Sequence, residues 1–174
     1  RMKDVLHHNL FFDADFKIRS EEIYTSKKWP TDPLFYMSAP SMTDDSVAPD
    51  GHENLFILIP IAPDLEDNEA IREHYFSRVL ERIKMITGED LQDRIVYKRS
   101  YCVKDFKADY HSFQGNAYGL ANTLRQTAFM KPKMKSRKLD NLYFTGQLTV
   151  PGPGIPPALI SGQIVAREVM KNYA

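Results

Sequence analysis

No regular secondary structure can hold the segment Gln147-Leu-Thr-Val-Pro-Gly-Pro-Gly-Ile-Pro-Pro157. Prolines 151, 153, 156 and 157 each fix φ and remove a backbone donor, and glycines 152 and 154 alternate with them. The apolar run Asn141-Leu-Tyr-Phe-Thr145, with the pattern of a short strand, precedes it and ends on Gly146. Residues 158–172 follow as a helix, with Ala158, Gly162, Val165, Ala166 and Val169 forming a small-residue face. Glycine at 146 removes the side chain where the strand ends, so backbone can approach a ligand closely. The prolines stiffen the loop and cut the entropy lost on clamping a flat ligand. Pro156-Pro157 suits the first turn of a helix, whose free N–H groups and positive dipole end favour an anion. By composition alone, a rigid proline-glycine loop leading into a surface helix accounts for the same residues equally well.

The rest of the chain alternates strand and helix patterns. Val5 to Phe12 places Leu6, His8, Leu10 and Phe12 on one face, as a half-buried strand does. Residues 13–26 are polar, with a short helix around Ser20 to Tyr24, and Trp29-Pro-Thr-Asp-Pro33 is a turn. Leu34 to Ser38 and Asn54 to Ile61 are expected strands of an antiparallel sheet, with Leu55 to Ile59 buried on both faces. Ile71, Tyr75, Val79, Ile83 and Ile86, widened by Phe76 and Leu80, mark a helix with acidic residues at its start and Gly88 as its left-handed cap. Ile95 to Val103 alternates as a strand. Residues 106–130 are aromatic and irregular, and residues 131–138 are a basic loop. The expected fold class is α+β, a mixed α/β arrangement: an antiparallel or mixed sheet with helices, then a C-terminal strand-loop-helix.

Composition narrows the function classes. With 174 residues and 43% hydrophobic content, the chain can bury a core of one domain's size. Lys plus Arg equals Asp plus Glu at 23 each, which gives nucleic-acid binding no support. The single cysteine, Cys102, allows no intrachain disulfide and fits a reducing compartment. No apolar run reaches the roughly 18 residues of a membrane span, so the chain is expected to be soluble or to sit on a membrane surface. It opens directly into the first strand pattern, as a fragment does, although a processed terminus does the same.

Other candidate sites carry less. His7 and His8 are adjacent in a strand pattern, where side chains point to opposite faces, so no metal site is expected. His52 and His111 lack partners at a recognisable spacing, and Cys102 reads as a structural thiol. Lys131, Lys133, Lys135, Arg137 and Lys138 form a solvated loop or touch anionic lipid. Phe106, Tyr110, Phe113, Tyr118 and Phe129 are expected in the core or in the wall of an apolar tunnel.

The stretch from Asn141 to Gly162 resembles the C-terminal flavin-binding signature of the bacterial-type phytoene desaturases. The resemblance extends along the chain through Leu6-His-His-Asn-Leu10, Ala39-Pro40 with Thr43-Asp44, Ala48-Pro-Asp-Gly51, and Gly115-Asn-Ala-Tyr-Gly-Leu120 with Gln126. It implies the C-terminal part of an FAD-dependent enzyme. An N-terminal Rossmann-like segment of the same protein would bind the adenosine and diphosphate, since no G-x-G-x-x-G occurs here. Residues 1–138 would form a substrate region with a long apolar tunnel, and residues 139–174 would return to the FAD-binding domain. Gly146 and Gln147 would approach the ribityl-phosphate side, and Gly154, Ile155 and Pro156 the isoalloxazine ring. The substrate would be an acyclic C30 or C40 carotenoid, losing a hydride to the flavin and a proton. Polyene isomerases, saturases and carotenoid oxidases share much of the signature, and a non-catalytic apolar-ligand or interaction fragment is the distant alternative. The family's acid-base residues lie in the N-terminal part, so no catalytic residue is assigned. The expected location is the cytoplasm, or the surface of the cytoplasmic membrane.

Overall fold

The computed structural model describes residues 2–3, 5–121, 123–127 and 130–173. Phe129, expected in the core or the tunnel wall, lies outside them. The chain forms two compact units, Arg1–Asp105 and Phe106–Ala174. It is mixed helix and strand: among the described residues four α-helices accompany one three-stranded antiparallel sheet.

In the first unit the sheet runs β1 (His8–Phe11), β2 (Phe35–Ser38), β3 (Phe56–Leu58), in that spatial order. Phe11 faces Phe35, Leu10 faces Tyr36, and Tyr36 faces Leu58. Because side chains alternate along a strand, one face carries Phe11, Phe35 and Met37. These pack with Val5, Val79, Ile83 and Leu91 in the core, where Met37 and Ile83 are fully buried. The Phe11 and Phe35 rings stack at 4.2 Å between centroids.

Val79 and Ile83 come from α2 (Glu69–Thr87), the helix expected from the apolar spacing. Asn68 caps it by accepting a 2.9 Å hydrogen bond from the Ile71 N–H. Gly88 closes it at φ +74°, donating its N–H to Lys84 O at 2.9 Å. Ile71, Tyr75, Val79 and Ile83 turn inward as expected, whereas Ile86 is 52% exposed because it lies about 60° round the helix from Ile83. The short helix expected after residue 13 is α1 (Phe16–Tyr24), capped by Asp15 through the Ile18 N–H at 3.0 Å. The turn at residues 29–33 is held on α2: Trp29 packs on Tyr75 at 4.6 Å, and Tyr75 Oη donates to Pro30 O at 2.7 Å.

Three expectations need correction. β3 is not buried on both faces: Phe56 is exposed and Leu55, Ile57, Leu58 and Ile59 are half-buried, because β3 pairs only with β2 and α2 covers one face. Residues 95–102 are not a strand: Val96 and Tyr97 stand exposed with no strand beside them among the described residues, and helix α3 (Val103–Tyr110) begins where the alternation was expected to end. In the second unit residues 141–145 are extended without forming a strand. Tyr143 makes a single antiparallel bridge to Lys135, flanked by hydrogen bonds from Ser136 N to Leu142 O and from Phe144 N to Met134 O. Among the described residues this short segment has no neighbouring strand to complete a ladder.

Ion pairs hold the non-periodic segments. Asp67, 2% exposed, accepts from Arg72 Nε and Nη2 at 2.7 Å each, and Arg72 Nη2 also reaches Asp105 at 2.7 Å. Asp67 also accepts the Lys104 N–H at 2.8 Å, and Asp105 accepts the Cys102 N–H at 2.7 Å, satisfying donors where α3 begins. Hydrogen bonding from Arg72 holds the Asp67 carboxyl below the usual carboxylate range, and Asp67 in turn raises Arg72 above its ordinary value. Arg82, 6% exposed, joins α2 to Asp13 and to the Pro33 carbonyl, with its guanidinium 5.1 Å over the Phe35 ring.

The Asp67–Arg72 pair sets an acid limit on stability. A carboxyl whose folded pKa is depressed stabilises the fold above its unfolded pKa, and that contribution falls as pH drops through about 4 toward the folded value. Asp67→Asn should cost about 3 kcal/mol at neutral pH, because it leaves a largely buried guanidinium short of a partner. It should also flatten the loss of stability between neutral pH and about pH 3. Urea unfolding across that range checks both, and an unchanged acid limb would remove Asp67 from the account.

Candidate functional site

The proline-glycine segment folds as its composition requires, an irregular loop running into α4 (Ile155–Tyr173). Its anchor is the hydroxyl of Ser161, one turn and a half into that helix and fully buried. Ser161 Oγ accepts the Gly146 N–H at 2.7 Å, lies 2.8 Å from Thr145 Oγ1, and stands 2.7 Å from Ala158 O. Thr149, 2% exposed, closes the turn by donating both its N–H and its hydroxyl to Gly146 O, at 3.2 and 3.0 Å. Both polar backbone groups of Gly146 are therefore engaged within the chain. What Gly146 offers a ligand is open space, with nothing within 4 Å of where a Cβ would stand.

The segment 115–120 meets the same loop. Gln147 Nε2 donates to Ala117 O at 3.2 Å. Gly119 lies at φ +81°, and a Cβ there would sit 2.0 Å from Leu148 Cδ2, so only glycine permits this approach. The structure thus brings Gly146, Gln147 and the Gly115–Gly119 stretch together in one unit.

The helix start departs from the expectation of several free donors. Ala158 N–H already donates to Gly154 O at 3.0 Å, and Pro156 and Pro157 have no N–H. Ile155 alone supplies a backbone donor among the first three helical residues. Gly154 precedes it at φ +112°, and Gly154, Ile155 and Pro156 are all exposed, Ile155 by 79%. On α4 Leu159 and Ile160 are exposed as well. On the expected small-residue face, Ala158, Gly162, Val165 and Val169 are half-buried and Ala166 is exposed.

In the first unit the sheet presents a second apolar face. Leu10, Tyr36 and Leu58 form one cross-strand row, and His8, Ser38 and Phe56 the next. Leu6, Leu10, Phe12 and Phe56 are each more than half exposed. The face expected to be inward from the alternation of Val5 to Phe12 is therefore the open one, while Phe11 takes the core.

The remaining candidates divide. His7 and His8 do not point apart: their rings lie 4.2 Å from each other, because β1 begins only at His8. His7 Nδ1 meets Thr43 Oγ1 and His8 Nδ1 meets Tyr36 Oη, each at 2.6 Å. His52 and His111 are exposed. Burial pushes the half-buried Cys102 thiol up, away from thiolate chemistry. Phe106 is half-buried, but Tyr110, Phe113 and Tyr118 are exposed rather than in the core. In the basic run Lys133, Lys135, Arg137 and Lys138 are exposed, whereas Lys131 is only 5% exposed. Ser161 and Thr149 were not singled out by sequence reasoning, and Lys131, expected in the solvated loop, is buried instead. The one available signal was a hydroxyl about a turn beyond Pro157, since a loop so poor in N–H donors needs side-chain acceptors and donors to hold it.

No family model matches the chain. Among curated proteins it is 48% identical over 168 residues, 97% of the chain, to the carotenoid 3,4-desaturase of Haloarcula japonica. It is 32% identical over 176 residues, 98% of the chain, to the zeta-carotene-forming phytoene desaturase of Myxococcus xanthus. A 4,4'-diapophytoene desaturase of Staphylococcus aureus (strain Newman) matches at 32% over 173 residues, 95% of the chain. The chain spans about a third of the length of these relatives: 34%, 33% and 34%. Identity sustained over nearly the whole chain, against three enzymes named for the same class of reaction, shows that the chain belongs to the carotenoid desaturases, as a C-terminal part of such a protein.

Proposed function

We propose that this chain supplies the substrate wall and part of the flavin cradle of an FAD-dependent carotenoid desaturase. The observation that carries the reading is the sheet with two apolar faces, one covered by α2 and one open across Leu10, Tyr36, Phe56 and Leu58. Apolar side chains left open on one sheet face, Leu10 and Phe56 among them, suit an apolar substrate such as an acyclic polyene. Residues 1–138 act as the substrate region, and residues 139–174 belong with the FAD-binding domain, whose dinucleotide-binding segment lies elsewhere in the protein. The protein works in the cytoplasm at the membrane surface, with Lys133, Lys135, Arg137 and Lys138 facing anionic lipid.

The residues present fit a flavin. Gly154, Ile155 and Pro156 offer an exposed, stiff edge at a helix start, and Gly146 leaves open space where a Cβ would stand. When bound, FAD supplies hydride acceptance, which no protein side chain can. The chain's own part is to place the substrate's adjacent carbons and keep water away. The open sheet face does this by apolar contact, and the loop held by Ser161 and Thr149 does it by rigidity. The base that takes the proton lies outside this chain.

The full-length protein should carry flavin absorbance and convert a colourless phytoene or diapophytoene to coloured polyenes; bound FAD with only colourless products would sink the desaturase assignment. Gly154→Val forces a branched side chain into φ +112° and toward Pro157 Cδ, 3.4 Å from its Cβ, so flavin retention after gel filtration should fall at least tenfold. Retention at the wild-type level would mean the loop is wrongly assigned. Leu10→Thr, on the open face, should change stability by about 0.5 kcal/mol or less. It should nevertheless raise KM for the polyene about tenfold through lost apolar contact; turnover kinetics beside a melting curve separate the two effects.

A further inference from the structure

Residues 95–101 have the composition of a strand without a strand's partner. Ile95, Val96, Tyr97 and Tyr101 are strand formers, and the run contains no Gly, Pro, Asn or Asp of the kind that builds turns. Ile95 is extended, at φ −83° and ψ 113°, and residues 97–102 continue without helix, turn or bend. Alternate side chains, Lys98 and Ser100, hold the segment on α2. Lys98 pairs with Glu73 and lies 4.4 Å over the Phe76 ring, and Ser100 Oγ accepts from Arg72 Nη1 at 3.3 Å. The segment is thus fixed from one side, while Val96 and Tyr97 stand 81% and 79% exposed. From residue 95 to residue 100 no backbone N–H or C=O has a partner among the described residues. A fixed, extended row of open donors and acceptors flanked by apolar side chains is a template for another strand.

We infer that residues 95–100 are a docking edge, joined through main-chain hydrogen bonds by a strand from the remainder of the same protein. The strands described here do not take that place, since β1, β2 and β3 pair only among themselves. The occupant follows from length. The chain spans 34%, 33% and 34% of the relatives it matches, so about two thirds of such a protein lies outside these residues. A strand tethered in the same polypeptide meets the edge at a far higher effective concentration than a second copy does. The inference needs only membership of the family and is independent of the flavin reading.

Residue-resolved hydrogen–deuterium exchange on the full-length protein tests it. A strand paired along one edge has every second N–H in the ladder, so alternate amides from residue 95 to residue 100 should exchange about a hundredfold more slowly than in an unfolded peptide of the same sequence. Val96→Pro and Tyr97→Pro remove N–H groups that point to opposite edges. One of the two should abolish the protection and lower the melting temperature by several degrees, and the other should be tolerated. Exchange at the unprotected rate throughout overturns the inference and leaves a solvated loop. Equal effects of the two prolines overturn it as well, because burial under a helix or loop has no two-residue period. Protection that disappears when the protein is diluted to a monomer gives the edge to a second copy and overturns the occupant named here.

Discussion

One helix cannot cover both faces of a sheet, and in the first unit that constraint decides the rest. The strands are apolar on both sides, yet α2 presents a single stripe, through Val79 and Ile83, to Phe11, Phe35 and Met37. Burying this face supplies the main driving force for the unit, because apolar area removed from water is the dominant favourable term in folding. The opposite face keeps its leucines and phenylalanines in the open. In a carotenoid desaturase relative, such a face has a natural occupant in an apolar chain-like substrate. Core and proposed binding wall are thus two sides of the same three strands.

Ion pairs take over where periodicity ends. Asp67 receives two bonds from Arg72 and one from the Lys104 backbone, so a carboxylate before α2 determines where α3 begins. Arg82 similarly ties the segment after β1 to α2 and to the turn before β2. Of these pairs, Asp67–Arg72 is largely removed from solvent, where losing one partner costs far more than the pair contributes net, whereas Asp13 keeps its carboxylate partly in water. Their value lies in placing segments that have no apolar stripe of their own.

The second unit solves a different problem, namely how to hold a loop that has few donors. Proline removes N–H groups and glycine removes side chains, which leaves hydroxyls to make the connections. Ser161 and Thr149 fix both polar groups of Gly146, and Gln147 is tied to Ala117. The loop is stiff without forming secondary structure, so a flat ligand meets it with little ordering cost. The same prolines that make the helix start rigid also strip it of donors.

Much was legible in the sequence because local rules carry it. The 3.6-residue period located α2, Gly88 marked its end, and the proline-glycine run could only be a loop before a helix. The stretch from Asn141 to Gly162 resembles the signature of the phytoene desaturases, and identity to carotenoid desaturases along the chain agrees. Period-2 alternation was less decisive. It marked β1 but not which face the core would take, since a strand's two faces differ only through what packs on them. It also misread residues 95–102, where alternation without a pairing partner makes no strand. The buried hydroxyl of Ser161, the Asp67–Arg72–Asp105 cluster and the burial of Lys131 were beyond sequence rules altogether. Each is a meeting of residues distant in the chain, and only the folded backbone decides which polar groups find partners away from water.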